Sequence, residues 1–192
     1  MTNRTGKLGL LLVLGITSFS LGSYGQEEKS KPEHYTAVAV GTGGSVGARS
    51  LQFDVRISKY NSEQEIQDLA DLLREKGEDA LRRELEDRDV GRINPVGSTG
   101  NQIAVARKRV QGSQTIITVV TARIMPFLEN WAGNRSTQYQ FGYLRLMLDA
   151  KGQGTGQIIG AARIKFDKKK GQYEIESYGN QYVKVANVRM YK

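Results

Sequence analysis

The first folded elements are two segments in which polar and apolar residues alternate. Tyr35–Val40 and Leu51–Ser58 each place every second side chain on one face, as a half-buried β-strand does. The apolar face of the second segment consists of Leu51, Phe53, Val55 and Ile57. This pattern predicts two antiparallel strands that are joined by the glycine-rich loop Gly41–Gly47.

The hydrophobic period changes to that of a helix at Ser62. Ser62 and Glu65 match the S-x-x-E capping box, and apolar residues then recur at helical spacing as far as residue 88. Gly77 interrupts this stretch and is followed by acidic residues, which favours two short helices over one helix with an internal glycine. The apolar stripe consists of Ile66, Leu69, Leu73, Leu81 and Leu85, and we expect it to cover the apolar face of the second strand.

From about residue 90 onward, the pattern indicates strands and turns alone. The strands are closely spaced and their connections are short, so consecutive strands should be antiparallel. The predicted strands are Ile103–Val110, Thr115–Ile124, Tyr139–Leu148, 157–166, 172–177 and 182–190. An irregular stretch from Met125 to Thr137 separates the second of these strands from the third.

Together these elements predict an α+β fold. A curved antiparallel sheet of about eight strands, either open or partly closed into a barrel, packs against a helical hairpin that is inserted after strand 2. Residues 34–192 form this single domain. A flexible lead-in at 26–33 and a distinct N-terminal segment at 1–25 precede it.

The first 25 residues have the layout of a secretory signal peptide. Basic residues precede an uncharged apolar run, Leu8–Ile16, and a polar stretch follows that ends in Ser23-Tyr24-Gly25. The run has about half the length of a membrane-spanning helix, which needs about 20 residues. We therefore expect cleavage between Gly25 and Gln26, in preference to an uncleaved anchor. The product would be secreted or periplasmic, with no transmembrane segment.

Composition narrows the possible chemistry. The net charge of +8 favours anionic partners such as envelope polymers or lipid headgroups, although it also serves solubility; no specific nucleic-acid partner is expected. The chain has no cysteine and therefore uses no disulfide. With His34 as its one histidine, a zinc site and a Ser–His–acid triad are disfavoured. We predict no metal and no cofactor.

Carboxylate chemistry stays open as an alternative. Glycoside hydrolysis needs two acids about 5–9.5 Å apart. The acids outside the helical segment include Asp54, Asp149, Asp167, Glu174 and Glu176. The last two lie beside a lysine run, which favours exposed ion pairs, and the question of enzymatic activity is left undecided.

Two groups of side chains are candidate binding residues. One is an aromatic-rich region that either lines a pocket for an apolar ligand or caps the open end of the sheet. It consists of Phe127, Trp131, Tyr139, Phe141 and Tyr143. The other is the basic run Lys168, Lys169 and Lys170, which either contacts an anionic envelope component or keeps a hairpin tip soluble and blocks strand addition.

The last third of the chain carries a resemblance. Four short segments resemble the C-terminal half of small exported bacterial proteins of unknown function: Gly152–Gly156, Ala161–Phe166, Ile175–Gln181 and Ser136–Gly142. The resemblance implies a bacterial cell-envelope location and no particular activity. Together with the leader, it predicts an exported, non-enzymatic binding or interaction module. A carboxylate-dependent hydrolase and a purely structural envelope protein are the alternatives.

Overall fold

The computed structural model describes residues 31–41, 49–128, 138–178 and 182–191. The predicted leader at 1–25 and most of the lead-in lie outside these residues. The elements in chain order are β1 (Glu33–Gly41), β2 (Arg49–Ile57), α1 (Glu63–Lys76), α2 (Glu78–Glu86), β3 (Gly91–Pro95), β4 (Asn101–Ile103), β5 (Val105–Gln111), β6 (Gln114–Thr121), β7 (Phe141–Leu148), β8 (Gln153–Asp167), β9 (Gln172–Ser177) and β10 (Val183–Tyr191).

The ten strands of the described residues form one antiparallel sheet that closes almost completely into a barrel. The strand order is β4-β3-β2-β1-β10-β8-β7-β6-β5, and β9 pairs with the far half of β8. β4 and β5 lie at opposite ends of this order, yet Ala104 alone separates them along the chain. The Ala104 N–H donates to the carbonyl of Val120 at 2.9 Å. The chain itself therefore joins the two ends of the sheet, and the predicted curved α+β sheet is confirmed.

A polar loop completes the wall of the barrel beside β5. The N–H of the buried Asn61 donates to the carbonyl of Ala106 at 2.8 Å, and the Ala106 N–H donates to Asn61 Oδ1 at 2.9 Å. At the start of α1, Glu63 accepts hydrogen bonds from Arg107 and Arg109 of β5. The two bonds of Asn61 satisfy backbone groups of Ala106 that an open sheet edge would leave unpaired.

A cluster of hydrogen-bonded side chains links β1 to β5 beside this loop. Tyr35 donates to Glu33 Oε2 at 2.5 Å, Tyr60 donates to the same oxygen, and Lys108 donates to Oε1 at 2.6 Å. Burial works to raise the pKa of Glu33, but the hydrogen bonds from Lys108 and the two tyrosines outweigh it and leave that pKa below its usual value. Burial also raises the pKa of Tyr35 and of Tyr60. Both phenols therefore stay protonated as donors to a charged carboxylate.

The apolar side chains form two separate clusters, one inside the barrel and one outside it. The inner cluster contains Phe53, Val55 and Ile57 of β2. The outer cluster consists of the helical leucines and the strand residues beneath them, among them Leu69, Leu73, Leu81, Leu85, Phe141, Ile159 and Ala162. The expectation that the helices cover β2 is therefore wrong. Closure of the sheet lets the strands bury one another's inner faces, and the helices cover the outside near β7 and β8.

The two helices begin and end where the sequence predicts. Ser62 and Glu65 form the capping box, with the Glu65 N–H donating to Ser62 Oγ at 3.2 Å and the Ser62 N–H donating to Glu65 Oε2 at 2.8 Å. Gly77 lies between α1 and α2 with a φ of 80°, a left-handed conformation that favours glycine. The prediction of two helices that meet at Gly77 is confirmed.

β3 and β4 were not predicted. Their sequences, Gly91–Pro95 and Asn101–Ile103, are short and contain glycine, proline and asparagine, which are typical of turns. Gly91 is required at its position because a Cβ there would lie 2.1 Å from the Arg56 carbonyl oxygen. These strands form through pairing with β2, a contact between distant parts of the chain.

Candidate functional site

A cleft lies between α2 and the adjacent rim of the barrel, and we call it the rim cleft. It consists of two adjoining pockets of about 310 and 520 Å³. Both are lined by Glu86 of α2 and by Ala122 and Arg123, which follow β6. The Thr121 hydroxyl donates to the Arg123 carbonyl at 2.5 Å and fixes the chain where it leaves the sheet.

Two amide side chains fix the barrel wall of the rim cleft. Gln102 Nε2 donates to the carbonyl of Arg88 at 2.9 Å and ties β4 to the end of α2. Asn101 Nδ2 donates to the carbonyl of Ile124 at 2.8 Å and ties β4 to the segment after β6. Both residues line the 310 Å³ pocket. The Gln102 bond thus fixes the chain just after α2 against the rim, and the Asn101 bond holds two segments of the rim together.

The charge of the rim cleft is positive because two of its arginines lack an ionic partner. Arg82 pairs with Glu86, and Arg88 pairs with Glu84 at 2.9 Å. Within the part of the chain that the structure describes, Arg92 and Arg123 form no ion pair. A guanidinium presents several donors in a planar fork that matches a carboxylate or a phosphate. The cleft is therefore suited to an anionic group.

A buried acceptor lies in the second pocket. Gln140 Nε2 donates to Asp79 Oδ1 at 3.5 Å, while its Oε1 is buried and has no hydrogen-bond partner among the described residues. A buried carbonyl oxygen without a donor costs about 1–3 kcal/mol. A hydroxyl or amide of a ligand would satisfy it once the Gln140 side chain turned this oxygen towards the pocket. The cleft thus has cationic donors on its surface and a neutral acceptor buried in its wall.

The predicted aromatic residues do not converge on one pocket. Tyr139 lines the rim cleft and meets Tyr178 edge to face, with 5.5 Å between the ring centroids. Phe141 is buried in the outer apolar cluster, Tyr143 packs against that cluster, and Phe127 packs against the inner one. Burial raises the pKa of Tyr143. Trp131 lies outside the described residues, and a ligand-binding role for the group stays a prediction.

The predicted basic run lies at the turn between β8 and β9. Lys170 donates to Glu174 Oε1 at 2.7 Å and lies 3.6 Å from Asp167 Oδ2. The hydrogen bond to Glu174 raises the pKa of Lys170. Lys168 and Lys169 are exposed, and in the described part neither forms an ion pair. Two of the three lysines therefore keep their charge available, which agrees with either reading of the run.

The acids that the sequence offered for hydrolysis are engaged elsewhere. Asp54 lies 3.4 Å from His34 and 3.9 Å from Arg56. Asp149 Oδ1 accepts the N–H groups of Lys151 and Gln153 at 2.8 and 2.9 Å and so stabilises a turn. Among the described residues, no group of three or more histidine or carboxylate side chains is placed to bind a metal ion.

The decisive cations of the rim cleft were not found from the sequence. Arg92 precedes the predicted turn at 97–101 and Arg123 lies near the end of the predicted strand Thr115–Ile124, and no motif marks either arginine. What distinguishes them is the lack of an acidic neighbour, which follows from the tertiary structure. Tyr139 is the residue of the rim cleft that the sequence did single out.

Comparisons with models of protein families, with curated proteins and with solved structures find no match for this chain. In the described part of the chain, both helices are too short and too polar to span a bilayer.

Proposed function

We propose that this chain is an exported, non-enzymatic binding module of the bacterial cell envelope, and that its rim cleft takes a small acidic sugar unit. The proposal depends on the leader for location and on the rim cleft for chemistry. The observation that carries it is the pair of arginines, Arg92 and Arg123, that line the cleft without a carboxylate partner in the described chain.

The acceptor of Gln140 narrows the ligand class. The two arginines favour a carboxylate or phosphate group, and the Oε1 of Gln140, turned towards the pocket that this residue lines, would accept a hydroxyl donor. An acidic sugar carries both groups at short range. A fully apolar ligand would leave both arginines unpaired and the acceptor unsatisfied.

Calorimetric titration with digalacturonate tests the proposal. Arg92→Gln and Arg123→Gln should each weaken binding about tenfold, since a hydrogen bond to a charged group contributes about 1.5–3 kcal/mol. Arg83→Gln is the matched control, because Arg83 is an exposed arginine of α2 outside the rim cleft. An uncharged galactose disaccharide should bind weakly or not at all. Equal affinity in all three variants would refute the cleft as the site.

A structural role in the envelope is the second candidate function. It is favoured by the interior of the barrel, where large side chains such as Tyr35, Phe53, Leu144 and Ile158 have at most 1% of their surface exposed. A filled barrel has no internal chamber for a ligand. Chemical cross-linking in intact cells would distinguish the two functions, since a structural protein should be captured with protein neighbours even when the rim cleft arginines are replaced.

A further inference from the structure

The outer wall of the barrel at β10, β1, β2 and β3 is not covered by the helices. The outer apolar cluster has no member from these four strands. Arg56 of β2 and Arg92 of β3 are exposed, while their neighbours along the chain, Val55 and Ile93, are buried in the inner cluster. The two arginines therefore point away from the barrel interior, as the alternation of a strand requires.

Five residues on this wall form a continuous cross-strand row, which we call the outer belt. The strand register pairs Tyr191 with His34, His34 with Arg56, Arg56 with Arg92, and Arg92 with Gln102. Neighbouring strands are about 4.8 Å apart, so the four steps of the row span about 19 Å along the wall. Arg92 and Gln102 also line the rim cleft. The outer belt therefore leads directly out of the cleft.

The far end of the outer belt opens into a second concave surface, the wall groove. This groove has a volume of about 730 Å³ and is lined by Thr36, Lys151, Gln153, Arg189 and Tyr191, among others. Lys151 and Arg189 form no ion pair within the described chain. Like the rim cleft, the groove combines unpaired cations with neutral hydrogen-bonding groups.

An aromatic face is available where the outer belt meets the wall groove. The Tyr191 ring stacks on His34 with 5.2 Å between centroids, and 68% of the surface of Tyr191 is exposed. One side of the ring is supported and the other is open, which suits stacking of a sugar ring. The carboxylate of Asp54 on β2 lies 3.9 Å from Arg56 and 3.4 Å from His34 Nε2, and the cation of Arg56 offsets its negative charge.

We propose that the ligand is a linear acidic polysaccharide that runs from the rim cleft along the outer belt into the wall groove. This inference rests on the proposed function and extends it from one sugar unit to a polymer. Charged groups of the polymer would meet Arg92, Arg56 and Arg189 in turn, and its hydroxyls would meet Gln102 and Gln153. A single-stranded nucleic acid fits less well, because such strands stack successive bases on several aromatic faces and Tyr191 is the one exposed aromatic residue of the belt.

The dependence of affinity on ligand length tests the inference. Calorimetric titration would compare digalacturonate with an oligogalacturonate long enough to span the outer belt. Simultaneous contact with cleft, belt and groove should make the oligomer bind at least about tenfold more tightly per molecule than the dimer. Arg56→Gln and Arg189→Gln should each reduce the affinity for the oligomer about fivefold. The control Arg83→Gln should leave the affinity for the oligomer unchanged.

The outcomes separate this inference from the proposed function. If the dimer binds through Arg92 and Arg123 but the oligomer binds no more tightly than the dimer, the extension along the outer belt is wrong and the rim cleft remains the binding site. A second outcome is that Arg56→Gln and Arg189→Gln weaken binding of the oligomer while Arg92→Gln and Arg123→Gln leave the affinity for the dimer unchanged. In that case the rim cleft is not the binding site, and the outer belt with the wall groove remains the binding surface. Absence of binding by both ligands overturns both proposals. Tighter binding of a single-stranded oligonucleotide of matched length and charge overturns the assignment to a polysaccharide.

Discussion

Asn61 and Ala106 exchange two hydrogen bonds across the seam where the loop before α1 borders β5. The Asn61 N–H donates to the Ala106 carbonyl at 2.8 Å, and Asn61 Oδ1 accepts the Ala106 N–H at 2.9 Å. Asn61 thus pairs with β5 as a strand residue would, although it lies in the loop before α1. The Asn61 side chain is buried at this seam.

Replacement of Asn61 should destabilise the protein. Asn61→Ala leaves the buried N–H of Ala106 without an acceptor, which should lower the free energy of unfolding by about 1–3 kcal/mol. Urea denaturation monitored by circular dichroism measures this change. Gln67→Ala on the exposed face of α1 is the control and should change stability by less than about 0.5 kcal/mol. Equal stability of the two variants would contradict the structural role of Asn61.

Acid should weaken the same seam. The hydrogen bond from Arg107 lowers the pKa of Glu63 from its ordinary 4.5 to about 2, and the hydrogen bonds to Glu33 keep the pKa of that carboxyl below its usual value. Because folding lowers these pKa values, the stabilisation is present above pH 4.5 and is lost as pH falls towards the folded pKa values. Stability should therefore decline over this range.

Single substitutions test whether Glu63 and Glu33 cause the loss of stability at low pH. Glu63→Gln and Glu33→Gln should each be less stable than the parent at pH 6 and should show a shallower loss of stability between about pH 5 and pH 2, because the titrating group is gone. Thermal unfolding at a series of pH values measures both effects. Glu75→Gln, an exposed carboxylate of α1, serves as the control. An unchanged acid profile in both variants would show that other groups dominate.

The close approach of β3 to β2 should make Gly91 intolerant of any side chain. A Cβ at Gly91 would lie 2.1 Å from the Arg56 carbonyl oxygen, whereas a Cβ at Gly97 meets no atom within 4 Å. Both glycines have positive φ, so Gly97→Ala should cost about 1–2 kcal/mol from backbone strain alone. Gly91→Ala should cost clearly more, by chemical denaturation. Similar losses in the two variants would mean that β3 can move away from β2 at little cost.

The leader prediction has a direct test in cells. Mass spectrometry of the protein from the periplasm or the medium should find Gln26 as its first residue, because the small residue Gly25 precedes the expected cleavage site. Intact Met1 on protein that stays in the cytosol would contradict the predicted location. It would also remove the reason for choosing envelope polymers as the ligand class.

Local patterns in the sequence predict the elements of this fold well. Alternation identifies β2, the capping box at Ser62 identifies the start of α1, and Gly77 identifies the break between the helices. Each of these signals acts within a few residues along the chain. They are therefore readable without knowledge of the tertiary structure.

Closure of the barrel and the two-cluster core are not readable in this way. Alternation shows that Phe53 and Val55 share a face, but it does not show what covers that face. The cover is supplied by strands far away in sequence, and the helical leucines then pack on Phe141 and Ile159 outside the barrel. Closure depends on Ala104, which joins the two ends of the sheet and carries no sequence signal.

Of the residues that line the rim cleft, the sequence predicted one, Tyr139, as a binding residue. Its cations, Arg92 and Arg123, resemble any other arginine in a basic chain, since 28 lysines and arginines are present. Their importance comes from the absence of a carboxylate partner in the described structure. That property depends on the packing of α2 against the rim.

A map of ligand contacts tests the central claim most directly. Backbone amide resonances would be recorded by NMR while digalacturonate is added to the protein. The account predicts that the largest shifts cluster around the rim cleft, at Arg92, Gln102, Arg123 and Gln140, and that they weaken at high salt because the contact is ionic. Shifts confined to the lysine turn at 168–170, or no shifts at saturating ligand, would contradict it.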